Sequence, residues 1–193
     1  TNRDLVYATA YDAERDRYFY TRIASSVAAR GLFYMDGIDS TPQQLDNRSA
    51  RYMTFHPDSN AVYYALSGVG LVKHQMDRDE RTTLIPYTNV TTGMHLDRSR
   101  GHLYLVYADD LYRYDLNDTD AEPEFLFVMG FGSQRETAMT MNDETQTIYI
   151  SALSGLSRNI VYEIPIGDLD SEVEFEFPYS QQVELMVYNS TNN

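Results

Sequence analysis

Apolar residues in this chain come in short runs broken by polar turns, and one arrangement of the two recurs along its length. An apolar residue is followed by a polar one, then by loop-forming residues, then by an apolar-aromatic-apolar triplet. Tyr11-Asp12 leads to Tyr18-Phe19-Tyr20, Phe55-His56 to Val62-Tyr63-Tyr64, Leu96-Asp97 to Leu103-Tyr104-Leu105, and Met141-Asn142 to Ile148-Tyr149-Ile150. Tyr188-Asn189 opens the same pattern again as the chain ends, and successive copies start 44, 41, 45 and 47 residues apart. A repeat of that length built from short strands is the signature of an all-β fold, the β-propeller, in which each repeat is a four-stranded antiparallel blade.

The runs place four strands in each repeat. The repeats cover about 4–45, 50–87, 93–129 and 137–177, and one extra strand falls at 183–188. In the second repeat the strands read 50–55, 61–66, 70–76 and 81–87; in the first, the fourth strand is weak and lies near 43–45. Strand two does not alternate apolar with polar, as a strand with one wet face would. A strand in the middle of a blade has a neighbouring blade on each side, so both of its faces are buried. Tyrosine suits such a place because the ring fills space while the hydroxyl reaches a polar rim. Strand four of the last repeat, Glu172-Val173-Glu174-Phe175-Glu176-Phe177, alternates acid with apolar, as a charged edge strand does. No segment sustains a helical period, and no break in composition divides the chain, so residues 1–193 are expected to form a single propeller domain or a fragment of one.

Four blades and one surplus first strand exceed what simple closure of a ring requires. The expectation is a piece of a larger ring, ahead of a self-contained four-bladed ring or one completed by other chains. A first residue of Thr rather than Met agrees with a processed form or a segment.

Composition narrows the function classes. The chain carries 15 basic and 29 acidic residues, for a net charge of −14, which argues against binding nucleic acid through its phosphates. No apolar run approaches the roughly 18 residues of a membrane helix, so membrane insertion is not expected. With no Cys there is neither disulfide nor thiolate chemistry. Four N-x-S/T sequons, at Asn47, Asn89, Asn117 and Asn189, fall in turns or strand ends and make these residues candidate glycosylation sites of a secreted protein.

The polar residues that close strand one are Asp12, His56, Asp97, Asn142 and Asn189. Two readings stand. Repeats set them at equivalent points, where Asp12, Asp97 and Asn142 would offer oxygen ligands to a cation such as calcium. Alternatively, each side chain caps the turn into strand two. The second is preferred, because His56 interrupts the oxygen set. The acidic loop from Asp115 to Glu122 lacks the turn Gly and the closing Glu of a calcium loop and reads as a solvated turn. The four His show no zinc spacing, and no serine lies in a nucleophile elbow, so no catalytic residue is assigned. Tyr107, Tyr112 and Tyr114 offer aromatic faces to a sugar, but tyrosine in strands more often packs.

Leu96-Asp97 through Leu103-Tyr104 to Leu111-Tyr112-Arg113-Tyr114-Asp115-Leu116 resembles a repeat of the YWTD or NHL type, although the defining word reads Tyr-Leu-Val-Tyr and the chain has no Trp. Tyr64-Ala65-Leu66-Ser67-Gly68 and Ile150-Ser151-Ala152-Leu153-Ser154-Gly155, followed by Tyr162-Glu163-Ile164-Pro165, are similar to words of the major royal jelly and yellow proteins. Both resemblances imply a six-bladed parent ring. The first implies protein binding, and the second a secreted small-ligand carrier. A likeness to gluconolactonase-like propellers would make the ring of polar residues a catalytic cation site. The resulting expectation is an extracellular, non-enzymatic propeller that binds a protein partner or self-assembles, with no resident cofactor. The alternatives are a lactonase-like hydrolase with a central cation, calcium being the candidate, and a yellow-like carrier.

Overall fold

The computed structural model describes residues 5–24, 30–86, 91–107, 110–118, 120–129, 138–153 and 159–177. They form sixteen strands in four antiparallel sheets, each in simple sequence order. The first sheet holds β1 (Leu5–Asp12), β2 (Arg17–Ile23), β3 (Gly31–Asp36) and β4 (Gln43–Asp46). The second holds β5 (Tyr52–His56), β6 (Ala61–Leu66), β7 (Gly70–Gln75) and β8 (Glu80–Pro86). The third holds β9 (Thr91–Asp97), β10 (His102–Tyr107), β11 (Asp110–Asp115) and β12 (Glu124–Val128). The fourth holds β13 (Ala138–Asn142), β14 (Thr147–Leu153), β15 (Asn159–Pro165) and β16 (Val173–Phe177). Four up-and-down sheets of this kind are the blades of a β-propeller. The extra strand expected at 183–188 lies outside the described residues.

Burial explains the non-alternating triplets of the second and third blades, whereas Tyr18 and Tyr20 of β2 and Tyr149 of β14 are only partly buried. Every residue of β6 is buried, as are Leu103, Tyr104, Leu105 and Val106 of β10. Both faces of these strands are therefore covered, and each face is apolar. The fourth strands are the wet edges: β8 is largely exposed, and Val173 and Phe175 of β16 stand out between glutamates.

The chain divides into two compact units, Thr1–Thr91 and Thr92–Asn193, each holding two blades. In the first unit, β1 packs against β5, and a core of Phe19, Leu32, Ala50, Phe55, Val62 and Tyr64 joins the two sheets. Phe19 stacks on Phe55 with ring centroids 5.2 Å apart. Ala50, expected to open a strand, lies instead in the link between blades and is fully buried there. In the second unit, Tyr104, Val106 and Leu111 of the third blade pack with Met141, Ile148 and Ile150 of the fourth. The Tyr162 hydroxyl donates to the Met129 carbonyl at 3.0 Å, so a buried phenol finds its partner in the adjoining blade.

One irregularity repeats. The pairing of strand three with strand four shifts between Leu32 and Phe33, between Leu71 and Val72, and between Leu111 and Tyr112. The same irregularity thus falls at the same point of three blades, where strand three meets strand four. In the first two blades it is preceded by Gly31 and Gly70, with φ of 145° and 125°.

Candidate functional site

Four of the five recurring polar residues are turn caps, and the fifth, Asn189, lies outside the described residues. In each blade the polar residue ends strand one, four residues turn the chain, and strand two begins. The last turn residue is Asp16, Asn60, Gly101 or Gln146, and each has positive φ. The side chain at the strand end satisfies the turn's amides. Asp12 accepts from the Glu14 N–H at 3.1 Å, His56 Nδ1 from the Ser59 N–H at 3.2 Å, and Asn142 from the Glu144 N–H at 3.0 Å. Asp97 accepts from the Arg100 N–H at 3.2 Å and the Ser99 hydroxyl at 2.7 Å. Histidine can stand in this set because its ring nitrogen accepts as a carboxylate oxygen does.

Two of the caps are buried carboxylates, and each is paired with the Arg three residues on: Arg15 to Asp12 at 3.1 Å and Arg100 to Asp97 at 3.3 Å. The oxygens proposed for a cation are thus engaged with their own turns. Among the described residues, no group of three or more His, Asp or Glu side chains gathers where a metal ion could be held.

Burial pushes the Asp97 carboxyl up, but hydrogen bonds from Ser99 and Arg100, with the Arg100 charge, outweigh it and hold the group below the usual carboxylate range. The unfolded chain takes up this proton at higher pH than the folded one. The contribution to stability is therefore complete above the unfolded value of about 4 and is lost as pH falls through the folded one. Asp97→Asn should flatten that acid limb. Urea midpoints followed from about pH 7 to pH 3 check this, and equal slopes in both proteins would refute it.

The other expected sites divide. Asn47 and Asn117 sit on exposed turns, whereas Asn89 and Asn189 lie outside the described residues. Asn117 Nδ2 already donates to the Arg100 carbonyl at 2.8 Å. In the acidic loop, the Asp115 and Asp118 carboxylates accept from the Asn117 and Asp120 amides at 2.8 and 3.0 Å, as in other Asx turns. Tyr107, Tyr112 and Phe125 pack edge to face in a ladder, with centroids 6.1 and 5.8 Å apart, so these rings serve one another first.

Sequence reasoning did not find the concave surface of the first unit. A depression of about 320 Å³ is lined by Ile23, Arg30, Arg48, Ser49, Leu66 and Ser67. An adjoining smaller cleft shares Ser49, Leu66 and Ser67 and adds Arg51 and Thr91. The lining comes from one end of both blades: β2 ends at Ile23, β6 ends at Leu66, and the link from β4 to β5 supplies Arg48, Ser49 and Arg51. The Ser49 hydroxyl ties this link to the first blade by donating to the Arg22 carbonyl at 3.0 Å.

Arg48, in the lining, is held by a buried carboxylate, Asp46. It accepts from the Arg48 amide at 2.9 Å, from Arg48 Nε at 3.1 Å and Nη2 at 3.2 Å, and from Arg81 Nη1 at 2.6 Å. The Tyr64 hydroxyl donates to it at 3.4 Å. Asn47-Arg48-Ser49 was legible as a sequon, but nothing in the sequence singled out Asp46. Arg81 is 35 residues away, so its role depends on how the two blades pack.

No family model matches the chain, and no curated protein matches it. Among solved structures it is similar to the crystal structure of the extracellular domain assigned to a one-component system of B. thetaiotaomicron. The TM-score is 0.60 and the identity 11%, over 82% of this chain and 20% of that one. The chain thus spans about a fifth of that structure. The likeness bears on the fold, which is a β-propeller of four-stranded antiparallel blades. Among the described residues, no helix is long and apolar enough to cross a membrane.

Proposed function

We propose that the chain is a stretch of an extracellular, non-enzymatic β-propeller that works by binding, with the depression of its first unit facing the ligand. The observation that carries this reading is that concave, arginine-lined end of two blades, built from strand ends and a blade-to-blade link on a rigid scaffold. Loops held in this way by a sheet framework are where propellers and other all-β folds carry recognition. The extracellular setting is supported by the similarity to an extracellular domain and by the exposed sequons at Asn47 and Asn117. The resemblance of its repeats to YWTD, NHL and yellow-type propellers agrees with a binding role. A second reading, carriage of a small ligand rather than of a protein partner, is favoured by the volume of the depression, which lies in the range of small-molecule sites.

Protein recovered from its source tests the setting. The expectation is location outside the cytoplasm, with mass spectrometry finding glycan on the peptides bearing Asn47 or Asn117. Recovery wholly from the cytosol would overturn it.

A further inference from the structure

We infer that the depression of the first unit binds a small ligand through an anionic group, a carboxylate or sulfate, and the inference rests on the reading of the chain as a binding module. Charge is the first argument. The chain as a whole is strongly acidic, at −14, yet among the described residues no Asp or Glu lines the depression or the cleft beside it. Together they are lined by Arg30, Arg48 and Arg51, in a chain with only 15 basic residues among 193. A local reversal of sign inside an acidic protein concentrates attraction for an anion at one place.

Preorganisation is the second argument. Arg48, which lines the depression, is clamped by Asp46 through its amide, Nε and Nη2 and keeps further N–H donors beyond these. A guanidinium held in this way loses little freedom when a carboxylate or sulfate adds a paired hydrogen bond. Asp46 does not cancel the charge, because Arg81 shares the same carboxylate. Arg30 lines the same depression as a second cation, and Ser67 lines it as a neutral polar residue. Ile23 and Leu66 are apolar, so the site suits an anion carried on an apolar body better than a bare, strongly hydrated ion.

The test is an amide NMR titration of the whole chain with sodium sulfate, sodium acetate and sodium benzoate, at constant ionic strength held with chloride. Saturable shifts are expected at residues 23, 30, 48, 49, 66 and 67, with benzoate tighter than acetate. Arg30→Gln should weaken binding about tenfold, the scale of one charge-assisted hydrogen bond, without moving the urea midpoint, since Arg30 is exposed. Arg48→Gln should weaken it at least as much. No saturation at these residues with any of the three probes would overturn the inference, as would unchanged affinity in Arg30→Gln. Shifts produced by an oligoglutamate peptide and by none of the small anions would overturn it in favour of an acidic protein partner. These failures leave the extracellular binding reading standing, and a cytosolic location would remove that reading while leaving the anion titration intact.

Discussion

Gly70→Ala is expected to cost about 3–5 kcal/mol, a large share of what a domain of this size has to lose. Two effects add at this residue. Its φ of 125° lies where residues with a Cβ are strained, at a cost of about 1–3 kcal/mol. A methyl group there would also be driven into the Ile85 carbonyl oxygen, with the Ile85 carbonyl carbon and Pro86 Cα close behind it. These are backbone atoms of β8, so relief requires the bulged pairing of β7 with β8 to open. Gly68, two residues earlier, is the control. It too has positive φ, at 72°, but a Cβ there meets nothing within 4 Å, so Gly68→Ala should cost only about 1 kcal/mol. Urea midpoints of the two variants at equal m-value check this, and equal losses would show that the contact with Ile85 is not what makes the site intolerant.

The contrast between these glycines shows where the sequence was readable. Gly68 reads as a turn residue and Gly70 as the first residue of strand three, but nothing local shows which of the two tolerates a side chain. What separates them is the partner strand, which belongs to a register that alternation alone does not give. Gly70 repeats Gly31 as a Gly-Leu word at the head of strand three, but the third blade has Asp110-Leu111 at that place and carries its bulge without a Gly.

Strands were legible for a different reason. A middle strand is buried on both faces by its own composition, so Val62-Tyr63-Tyr64 and Leu103-Tyr104-Leu105 announced themselves. The turn caps were legible as well, because a cap acts within three residues of itself. The depression was not legible, because Arg30 and Arg48 are ordinary loop arginines until two strand ends and a link bring them together. Asp46 ends a weak fourth strand in one blade, and its second guanidinium comes from the next blade.

Asp46→Ala is the other substitution expected to cost about 3–5 kcal/mol, because it removes one member of a buried charge cluster and leaves the rest. The Asp46 side chain is 1% exposed, and Arg48 and Arg81 are 38% and 39% exposed. Without the carboxylate the two guanidinium groups repel, the Arg48 amide loses its acceptor, and the fully buried Tyr64 loses the partner of its hydroxyl. Partial exposure of the arginines lets water recover some of the loss, which sets the lower end of the range. Tyr64 supplies a readout that a general loss of packing would not move. Burial first, and the Asp46 charge second, push its ionisation above the ordinary tyrosine value, while Arg81 and Arg48 pull it back. A raised value means that the folded state favours the protonated phenol. This stabilisation is complete below the unfolded value of about 10 and is lost as pH rises through the folded one. Asp46→Ala deletes the raising charge and keeps the two lowering ones, so Tyr64 should ionise at lower pH and the alkaline loss of stability should shrink. Ultraviolet titration of the variant against Asp46→Ala/Tyr64→Phe isolates this one phenol. An unchanged Tyr64 titration would mean that the carboxylate does not sit against the hydroxyl. The same variant releases Arg48 from its clamp. Benzoate affinity should therefore fall even though the net positive charge of the depression has risen, and a gain in affinity would show that charge, and not the fixed geometry of Arg48, governs the site.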